Sequence, residues 1–213
     1  MMPDDDHLVD RAFAWCKREK EHRYVNLHRR KVSPDEVEAL HEILRRCGQD
    51  MKVRLGLGHW DPPYPLDLMR KSVEERSVYA VYNDERLVAT FTVGTQPPEY
   101  YRTIPGVWET WDASGEPALY ANRLAVLPEF QGQGIGTWCM EEYERIARAE
   151  GCEAIRLDAY DKHLRLLVWY EKLGYHWRGT FAFHTRLYGE TGMACYEKMK
   201  HDFHVDVLKA LTG

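Results

Sequence analysis

Leu124-Ala-Val-Leu-Pro-Glu-Phe-Gln-Gly-Gln-Gly-Ile-Gly136 is the stretch of this sequence from which the fold is most directly inferred. It begins as an apolar run, turns at Pro128 and ends with glycines at three alternate positions. Residues 137–150 then follow a helical pattern. A strand that leads through a glycine-rich turn into a helix is typical of a phosphate-binding site. Glycines let backbone N–H groups approach an anion closely, and the positive end of the helix dipole adds to the attraction.

Two common phosphate-binding loops do not fit this stretch. The dinucleotide fingerprint G-x-G-x-x-G, counted from Gly132 or Gly134, would need its third glycine at Thr137 or Cys139. A Walker loop needs Gly-Lys-Ser/Thr, and residues 124–151 contain no lysine. The glycine spacing therefore argues against a nucleotide-binding oxidoreductase. We keep this class as the least favoured of the three functions considered.

The pattern Gln131-x-x-Gly134-x-Gly136 after Leu-Ala-Val-x-Pro resembles the acyl-CoA pyrophosphate loop of the GNAT superfamily of N-acyltransferases. Downstream, residues 164–175 (Leu-Arg-Leu-Leu-Val-Trp-Tyr-Glu-Lys-Leu-Gly-Tyr) resemble the Tyr-Glu-Lys-x-Gly-aromatic signature of that superfamily. The two motifs, in this order and at this separation, cover residues 118–182.

The resemblance implies where acetyl-CoA binds. The pyrophosphate would lie on the backbone N–H groups of the loop, at Gln131, Gly132, Gln133, Gly134, Ile135 and Gly136. The pantetheine arm would pair with the preceding strand at Leu124, Ala125 and Val126, whose backbone would also polarise the thioester carbonyl. The family usually has a CoA-contacting asparagine seven residues before its tyrosine, and here that position is His163, which has a different reach and can become charged.

Tyr170 is the residue to which the resemblance assigns proton delivery to the leaving CoA thiolate. A phenol with a pKa near ~10 and a thiol near ~8.5 are close enough for proton transfer as charge develops on sulfur. The alternative is a structural role, because Tyr170 lies at helical spacing from apolar residues at 166, 167 and 173.

The general base has no spacing signal. An alkyl amine with a pKa of ~10.4 is mostly protonated at neutral pH, so some group must accept a proton. We rank Glu109 first, because Trp108 and Trp111 would desolvate its carboxyl group and raise its pKa. The other candidates are Asp112, Glu116, Tyr120, Asn122 and His59. The acidic and aromatic residues of 95–117 also favour a small, cationic amine substrate through carboxylate pairing and cation–π contact, although the rings could equally pack that loop onto the sheet.

The composition narrows the classes of protein further. A net charge of −5 argues against a nucleic-acid surface. Five scattered cysteines favour reduced thiols, and no apolar run approaches the ~20 residues of a membrane span. An acidic start, Asp4-Asp5-Asp6, is unlike a signal peptide, so we expect a cytoplasmic protein. His201 and His204 lie three residues apart without a further ligand pattern, so we expect no metal. A homodimer is an expectation from the resemblance alone.

Hydrophobic periodicity predicts an α/β (α+β) protein. Its central sheet is mixed and mostly antiparallel, with helices on both faces. The strand–helix–strand unit at 118–159 implies one parallel pair, and the GNAT resemblance implies that these strands are splayed. We predict an N-terminal helical extension at 1–22, with a partner-binding element as the alternative, and a single domain at 23–213. The predicted strands are 24–28, 78–82, 87–93, 118–126, 154–159, 175–183 and 193–199; the predicted helices are 33–48, 66–76, 137–150 and 164–173.

The function predicted from these features is N-acetyl transfer from acetyl-CoA to a primary amine, by direct attack in a ternary complex. No covalent enzyme intermediate is expected, because Cys139 lies on the buried stripe of its helix. The alternative is a non-catalytic acyl-CoA binding or sensing module on the same fold.

Overall fold

The computed structural model describes residues 26–98, 101, 117–185 and 189–204. Within these ranges the chain forms seven strands and four α-helices. In chain order they are β1 (Leu27–Lys31), α1 (Val37–Leu55), α2 (Leu66–Glu75), β2 (Ser77–Asn83), β3 (Arg86–Gly94), β4 (Ala118–Val126), α3 (Ile135–Ala149), β5 (Ala154–Tyr160), α4 (Leu164–Lys172), β6 (His176–Thr185) and β7 (Gly189–Met199).

The seven strands form one sheet in the order β1-β2-β3-β4-β5-β7-β6. Neighbouring strands are antiparallel except β4 and β5, which are parallel. A parallel pair needs a crossover connection, and α3 supplies it. The predicted mixed, mostly antiparallel sheet with one parallel pair is confirmed.

Helices cover both faces of the sheet, as predicted. On one face, α3 packs on the central strands, and the ring of its Tyr143 meets Phe91 of β3 edge-on at 5.0 Å. On the other face, α1 and α2 bury apolar residues such as Leu40 and Met69 against β2 and β4. We call the first the α3 face and the second the α1 face.

Helix α1 begins as predicted but ends later. The Glu36 carboxylate accepts the backbone N–H of Ser33 at 3.0 Å. The predicted buried stripe is confirmed at Val37, Leu40, Leu44 and Cys47. The predicted end at Gly48 is wrong, because the helix continues to Gly56, whose φ of 68° terminates it. Gly48 instead permits close packing, since a Cβ there would lie 2.2 Å from the carbonyl oxygen of Trp60.

Strand β1 lies three residues later than predicted. It runs from Leu27 to Lys31 because these residues pair with Asn83 to Tyr79 of β2. The other predicted strands and helices are confirmed to within a few residues at their ends, and β4 matches in full. The predicted N-terminal helix at 1–22 and most of the segment 95–117 lie outside the described residues, so the proposed division into extension and domain stays a prediction.

Glu144 on α3 is a buried carboxylate that forms an ion pair with a buried lysine. Glu144 is only 3% exposed, and its carboxylate accepts a hydrogen bond from Lys198 of β7 at 2.7 Å. Lys198, 2% exposed, also donates to the carbonyl of Leu173 at 2.7 Å. Arg148 is 4.0 Å away from Glu144. This buried pair joins α3, β7 and the end of α4.

Candidate functional site

The parallel strands β4 and β5 separate part-way along their length. They pair only from Ala118 opposite Ala154 to Ala121 opposite Leu157. Beyond Ala121, β4 still pairs with β3 at Asn122, Ala125 and Val126, but none of residues 122–126 pairs with β5. The edge of β4 therefore faces an open gap, and backbone N–H and C=O groups on such an edge can pair with a bound ligand.

The glycine-rich loop lies directly after this open edge. Gly132 and Gly134 have φ values of 75° and 89°, a conformation that glycine adopts without the penalty other residues incur. The first hydrogen bond of α3 runs from the N–H of Trp138 to the carbonyl of Gly134 at 3.0 Å. The N–H groups of Ile135 and Gly136 precede it and have no carbonyl in their own helix to bind. They form a cradle for an anion at the positive end of the helix dipole.

The surroundings of the cradle favour an anion. The first turn of α3 contains no acidic residue. Gly132 is open, with no described heavy atom within 4 Å of the position its Cβ would take. At Gly136 a Cβ would lie 3.4 Å from the ring of Trp169, so this glycine lets α4 approach the start of α3.

The side chain of Gln131 ties the loop to its neighbours. Its amide nitrogen donates to the carbonyl of Val126 at 3.0 Å, and its oxygen accepts from Arg54 at 3.0 Å. The thiol of Cys47 donates to the same Val126 carbonyl at 3.2 Å. The carbonyl of Val126 on this edge is therefore already bound by two side chains of the protein itself.

Tyr170 lies on α4, the helix that packs against the cradle. It is 6% exposed, and its ring centroid is 5.7 Å from that of Tyr196 and 5.9 Å from that of Tyr175. Its hydroxyl has no hydrogen-bond partner among the residues described. Burial, with a smaller contribution from the charge of Asp158, raises the pKa of Tyr170 above its usual value. The phenol thus stays protonated at neutral pH, as a proton donor must.

His163 is the N-cap of α4. Its Nδ1 accepts the backbone N–H of Leu166 at 3.2 Å, so the ring is neutral and carries its proton on Nε2. Partial burial lowers the pKa of His163, which favours this neutral form. The substitution of the family's asparagine therefore still leaves one hydrogen-bond donor here.

The segment between α1 and α2 crosses the gap on the α1 face. At one end of this segment, the ring of Tyr64 stacks on the guanidinium of Arg123 of β4. The guanidinium carbon lies 4.4 Å from the centroid of the Tyr64 ring. At the other end, the ring of His59 lies 4.5 Å from that of Tyr160 at the end of β5. Residues 56–65 thus lie over the gap, and we call this segment the roof. The ammonium group of Lys52 on α1 lies 2.5 Å from the carboxylate of Asp61 and joins the roof to that helix.

Two polar atoms near the roofed gap are buried and have no hydrogen-bond partner among the described residues: Nδ1 of His59 and Oδ1 of Asn122. Asn122 is the first residue of β4 beyond its last pair with β5. Ala121 belongs to the core on the α3 face, so Asn122 projects to the α1 face. Burial lowers the pKa of His59 to about 4, and the ring is neutral at pH 7. Both atoms can accept a hydrogen bond from a ligand.

The other candidate bases divide between described and undescribed parts of the chain. Glu109, Asp112 and Glu116 lie outside the described residues, so the ranking of Glu109 stays a prediction. The hydroxyl of Tyr120 binds Arg156 at 3.1 Å.

The described residues contain no group of three or more His, Cys, Asp or Glu side chains that could hold a metal ion. Burial raises the pKa of Cys139, so this thiol is unsuited to nucleophilic attack, as expected.

Residues 37–175 match the model of the acetyltransferase (GNAT) family. The chain belongs to this family. The predicted resemblance and the fold class that it implies are confirmed. No helix within the described ranges is long and apolar enough to cross a membrane.

Curated relatives of this GNAT chain are N-acetyltransferases. An uncharacterized N-acetyltransferase, YesJ of Bacillus subtilis, is 32% identical over 111 residues, which cover 52% of this chain and 59% of that protein. The S-(2-succino)cysteine N-acetyltransferase of the same organism is 29% identical over 141 residues, 63% of this chain and 71% of that protein. The bovine thialysine N-epsilon-acetyltransferase is 31% identical over 67 residues, 32% of this chain and 38% of that protein. The match to YesJ thus spans less than two thirds of its length.

Solved structures share the fold at low sequence identity. A GNAT acetyltransferase from Listeria monocytogenes superposes with a TM-score of 0.63 at 17% identity, covering 81% of this chain and 94% of that one. The putative acetyltransferase yncA from Salmonella typhimurium, solved with acetyl-CoA, gives a TM-score of 0.55 at 12% identity and covers 82% and 94% of the two chains.

Sequence reasoning missed one residue of the site, Arg123. It carries no signal in the sequence, because an arginine within an alternating strand is normally a solvated outer residue. Its φ of 53° and its contact with the ring of Tyr64 are evident only in the folded structure.

Proposed function

We propose that this GNAT acetyltransferase transfers an acetyl group from acetyl-CoA to a primary amine, by direct attack within a ternary complex. The open edge of β4 beside the glycine cradle is the observation that best supports this proposal. An extended arm and a pyrophosphate, linked as in CoA, need these two surfaces next to each other.

The cradle would hold the pyrophosphate through backbone N–H groups at residues 131–136. The edge of β4, at Leu124, Ala125 and Val126, would align the pantetheine arm so that its thioester lies in the gap. A backbone N–H on that edge would stabilise the oxygen that becomes negative as the amine attacks. His163 would contribute its Nε2–H as a further donor to the cofactor.

Tyr170 would protonate the leaving thiolate. A C–N bond forms to the acetyl carbon, the C–S bond breaks, and the phenol proton moves to sulfur. The phenolate then regains a proton from solvent. Burial raises the pKa of Tyr170 above that of a free phenol, and the same dry surroundings raise the pKa of a thiol bound beside it. Both shifts have the same direction, so the raised pKa of the phenol is partly offset by a raised pKa of the thiol.

The proton of the ammonium substrate must leave before attack, because only the free amine has a lone pair. We propose Glu109 as the base that accepts this proton, either directly or through a water molecule. The balance is then one ammonium and one thioester consumed, with one amide, one thiol and one proton formed.

The acceptor would be a small molecule that carries a primary amine. The named relatives support this class, since S-(2-succino)cysteine and thialysine N-epsilon-acetyltransferases are named for amino acid derivatives. The cationic character of the acceptor, a cytoplasmic location and a homodimer stay predictions.

Thermal unfolding with acetyl-CoA, and with NAD as the control, tests the cofactor site. A ligand at 100 times its Kd adds ~2.7 kcal/mol, which raises the midpoint by roughly 5–10 °C in a protein of this size. No shift at millimolar acetyl-CoA would overturn the proposal. A shift followed by amine-dependent release of thiol would support it. A shift without thiol release from any amine would favour the binding or sensing module.

A further inference from the structure

Arg123 is a partly buried cation without a carboxylate partner among the described residues. Its Nη1 donates to the hydroxyl of Ser72 at 2.9 Å, and its guanidinium lies 4.4 Å from the centroid of the Tyr64 ring. The buried Arg156, by comparison, binds the carboxylate of Glu197 at 3.0 Å. Among the described residues, the positive charge of Arg123 thus contacts one hydroxyl and one ring face.

This arrangement suits a bound anion. A guanidinium has five N–H donors in a rigid planar fork, of which Ser72 engages one. Withdrawing the charge from water is costly unless an anion compensates for it. A carboxylate matches the fork with two parallel hydrogen bonds, which are stronger than neutral ones.

The backbone directs Arg123 into this position at some energetic cost. Thr90 pairs with Ala125 and Thr92 with Asn122, so two positions of β4, 123 and 124, oppose one residue of β3. Such a bulge re-aims side chains and is frequent beside active sites. The φ of 53° at Arg123 is unusual for a bulky residue. Because of the bulge, Arg123 and its neighbour Asn122 both project to the α1 face, whereas consecutive strand residues normally alternate.

Two other polar atoms near the roofed gap suit a hydrogen-bond donor rather than an anion. Oδ1 of Asn122 and Nδ1 of His59 are buried, unpaired within the described part of the chain, and able to accept hydrogen bonds. They suit the N–H groups of an amine. The roofed gap therefore offers a cationic group for a carboxylate and acceptor atoms for an amine.

We propose that Arg123 binds a carboxylate of the acceptor, so that the substrate is a molecule carrying both a primary amine and a carboxylate, such as an amino acid or its derivative. Asn122 and His59 bind N–H groups of the same molecule. This inference rests on the proposed acetyl transfer and adds the chemical class of the acceptor.

The test compares each acceptor with its own carboxamide. A panel of L-amino acids and S-substituted cysteines, each as carboxylate and as carboxamide, is assayed with acetyl-CoA for thiol release. The carboxamide removes the negative charge at nearly the same size, and because it also lowers the pKa of the α-amine, the rates are compared per free amine. For the preferred acceptor we expect kcat/KM to be about 10- to 100-fold higher for the carboxylate, the effect of one charge-assisted contact.

Variants at Arg123 connect this preference to the residue. Arg123→Gln should lower kcat/KM for the carboxylate to the value for the carboxamide, with little change for the carboxamide or in the KM for acetyl-CoA. Arg123→Lys should restore part of the preference, because it returns the charge without the planar fork. Arg70→Gln, at an exposed arginine of α2 that binds Glu38, is the matched control and should resemble the wild type.

The outcomes separate this inference from the proposed function. Equal rates for carboxylate and carboxamide in the wild type would overturn the inference, and this comparison needs no variant to fold. An equal loss on both substrates in Arg123→Gln would also overturn it, because it would indicate a structural role. If acetyl-CoA binds and no amine releases thiol, the proposed acetyl transfer fails, and the inference with it.

Discussion

Removing the hydroxyl of Tyr170 is the sharpest test of the proposed chemistry. The Tyr170→Phe variant keeps the ring, which is 6% exposed and packed between Tyr175 and Tyr196. Since the hydroxyl has no partner among the described residues, its loss leaves no unsatisfied group there. We expect the free energy of unfolding to change by less than about 1 kcal/mol, within roughly 4 °C in Tm.

The catalytic effect should be much larger than the effect on stability. General acid catalysis contributes typically 10²–10⁴-fold. Burial raises the pKa of Tyr170, which makes the phenol a weaker donor to a thiolate, so we expect the lower end of that range. A fall in kcat of about 100-fold corresponds to ~2.7 kcal/mol in the barrier. The Kd for acetyl-CoA should remain within about threefold, since the hydroxyl acts after binding.

The assay measures steady-state thiol release and acetyl-CoA affinity for both proteins. Trp169→Phe on the same helix is a control for packing, because this ring touches the position of a Gly136 Cβ without supplying an acidic proton. A Tyr170→Phe enzyme with full kcat would refute the assignment of the proton donor. A loss of acetyl-CoA binding equal to the loss of activity would show that Tyr170 shapes the pocket instead.

Three further predictions follow from particular contacts. Gly132→Ala should lower Tm by roughly 2–8 °C, because a φ of 75° costs other residues about 1–2 kcal/mol; Gly58→Ala, at an open position without positive φ, should not. Lys198→Ala should destabilise the protein by up to about 3 kcal/mol in urea unfolding, since the buried Glu144 loses its lysine partner and keeps only His204 and the more distant Arg148. The His59→Gln variant should lose less stability than the wild type as the pH falls from 6.5 to 4.

The sign of the last effect follows from linkage. Burial lowers the pKa of His59 from 6.5 to about 4. As the pH falls through this range, the unfolded chain takes up a proton that the folded chain does not. Stability present above pH 6.5 is therefore lost by pH 4, by up to roughly 3 kcal/mol. Thermal unfolding across this range measures it, with the exposed His176→Gln as control.

Each of these three expectations has a result that contradicts it. Equal midpoints for Gly132→Ala and Gly58→Ala would mean that the loop adapts without strain. A Lys198→Ala protein as stable as the wild type would mean that His204 and Arg148 are sufficient partners for Glu144. Identical pH profiles for the wild type and His59→Gln would place His59 in solvent.

Local signals predicted the strand and the glycine-rich loop to which we assign the cofactor. Strand β4 and the start of α3 were placed correctly because an apolar run, a turn at Pro128 and closely spaced glycines each favour one backbone conformation. The end of α1 was placed wrongly for the opposite reason. Gly48 is a helix-ending residue by propensity, but the carbonyl of Trp60 packs where its Cβ would be, and that contact outweighs a cost of about 1 kcal/mol.

The sequence by itself determined the mixed sheet, the cradle, the family and the place of Tyr170, because neighbouring residues carry all of these signals. Only the tertiary structure decided that Glu144 pairs with Lys198, 54 positions away, and that Asn122 and Arg123 share one face of β4. It also brought His59 over the end of β5, at 4.5 Å from Tyr160. The contacts of Glu144 and His59 join segments distant in the chain, and the shared face of Asn122 and Arg123 depends on the register of β4 with β3, so no local pattern encodes them.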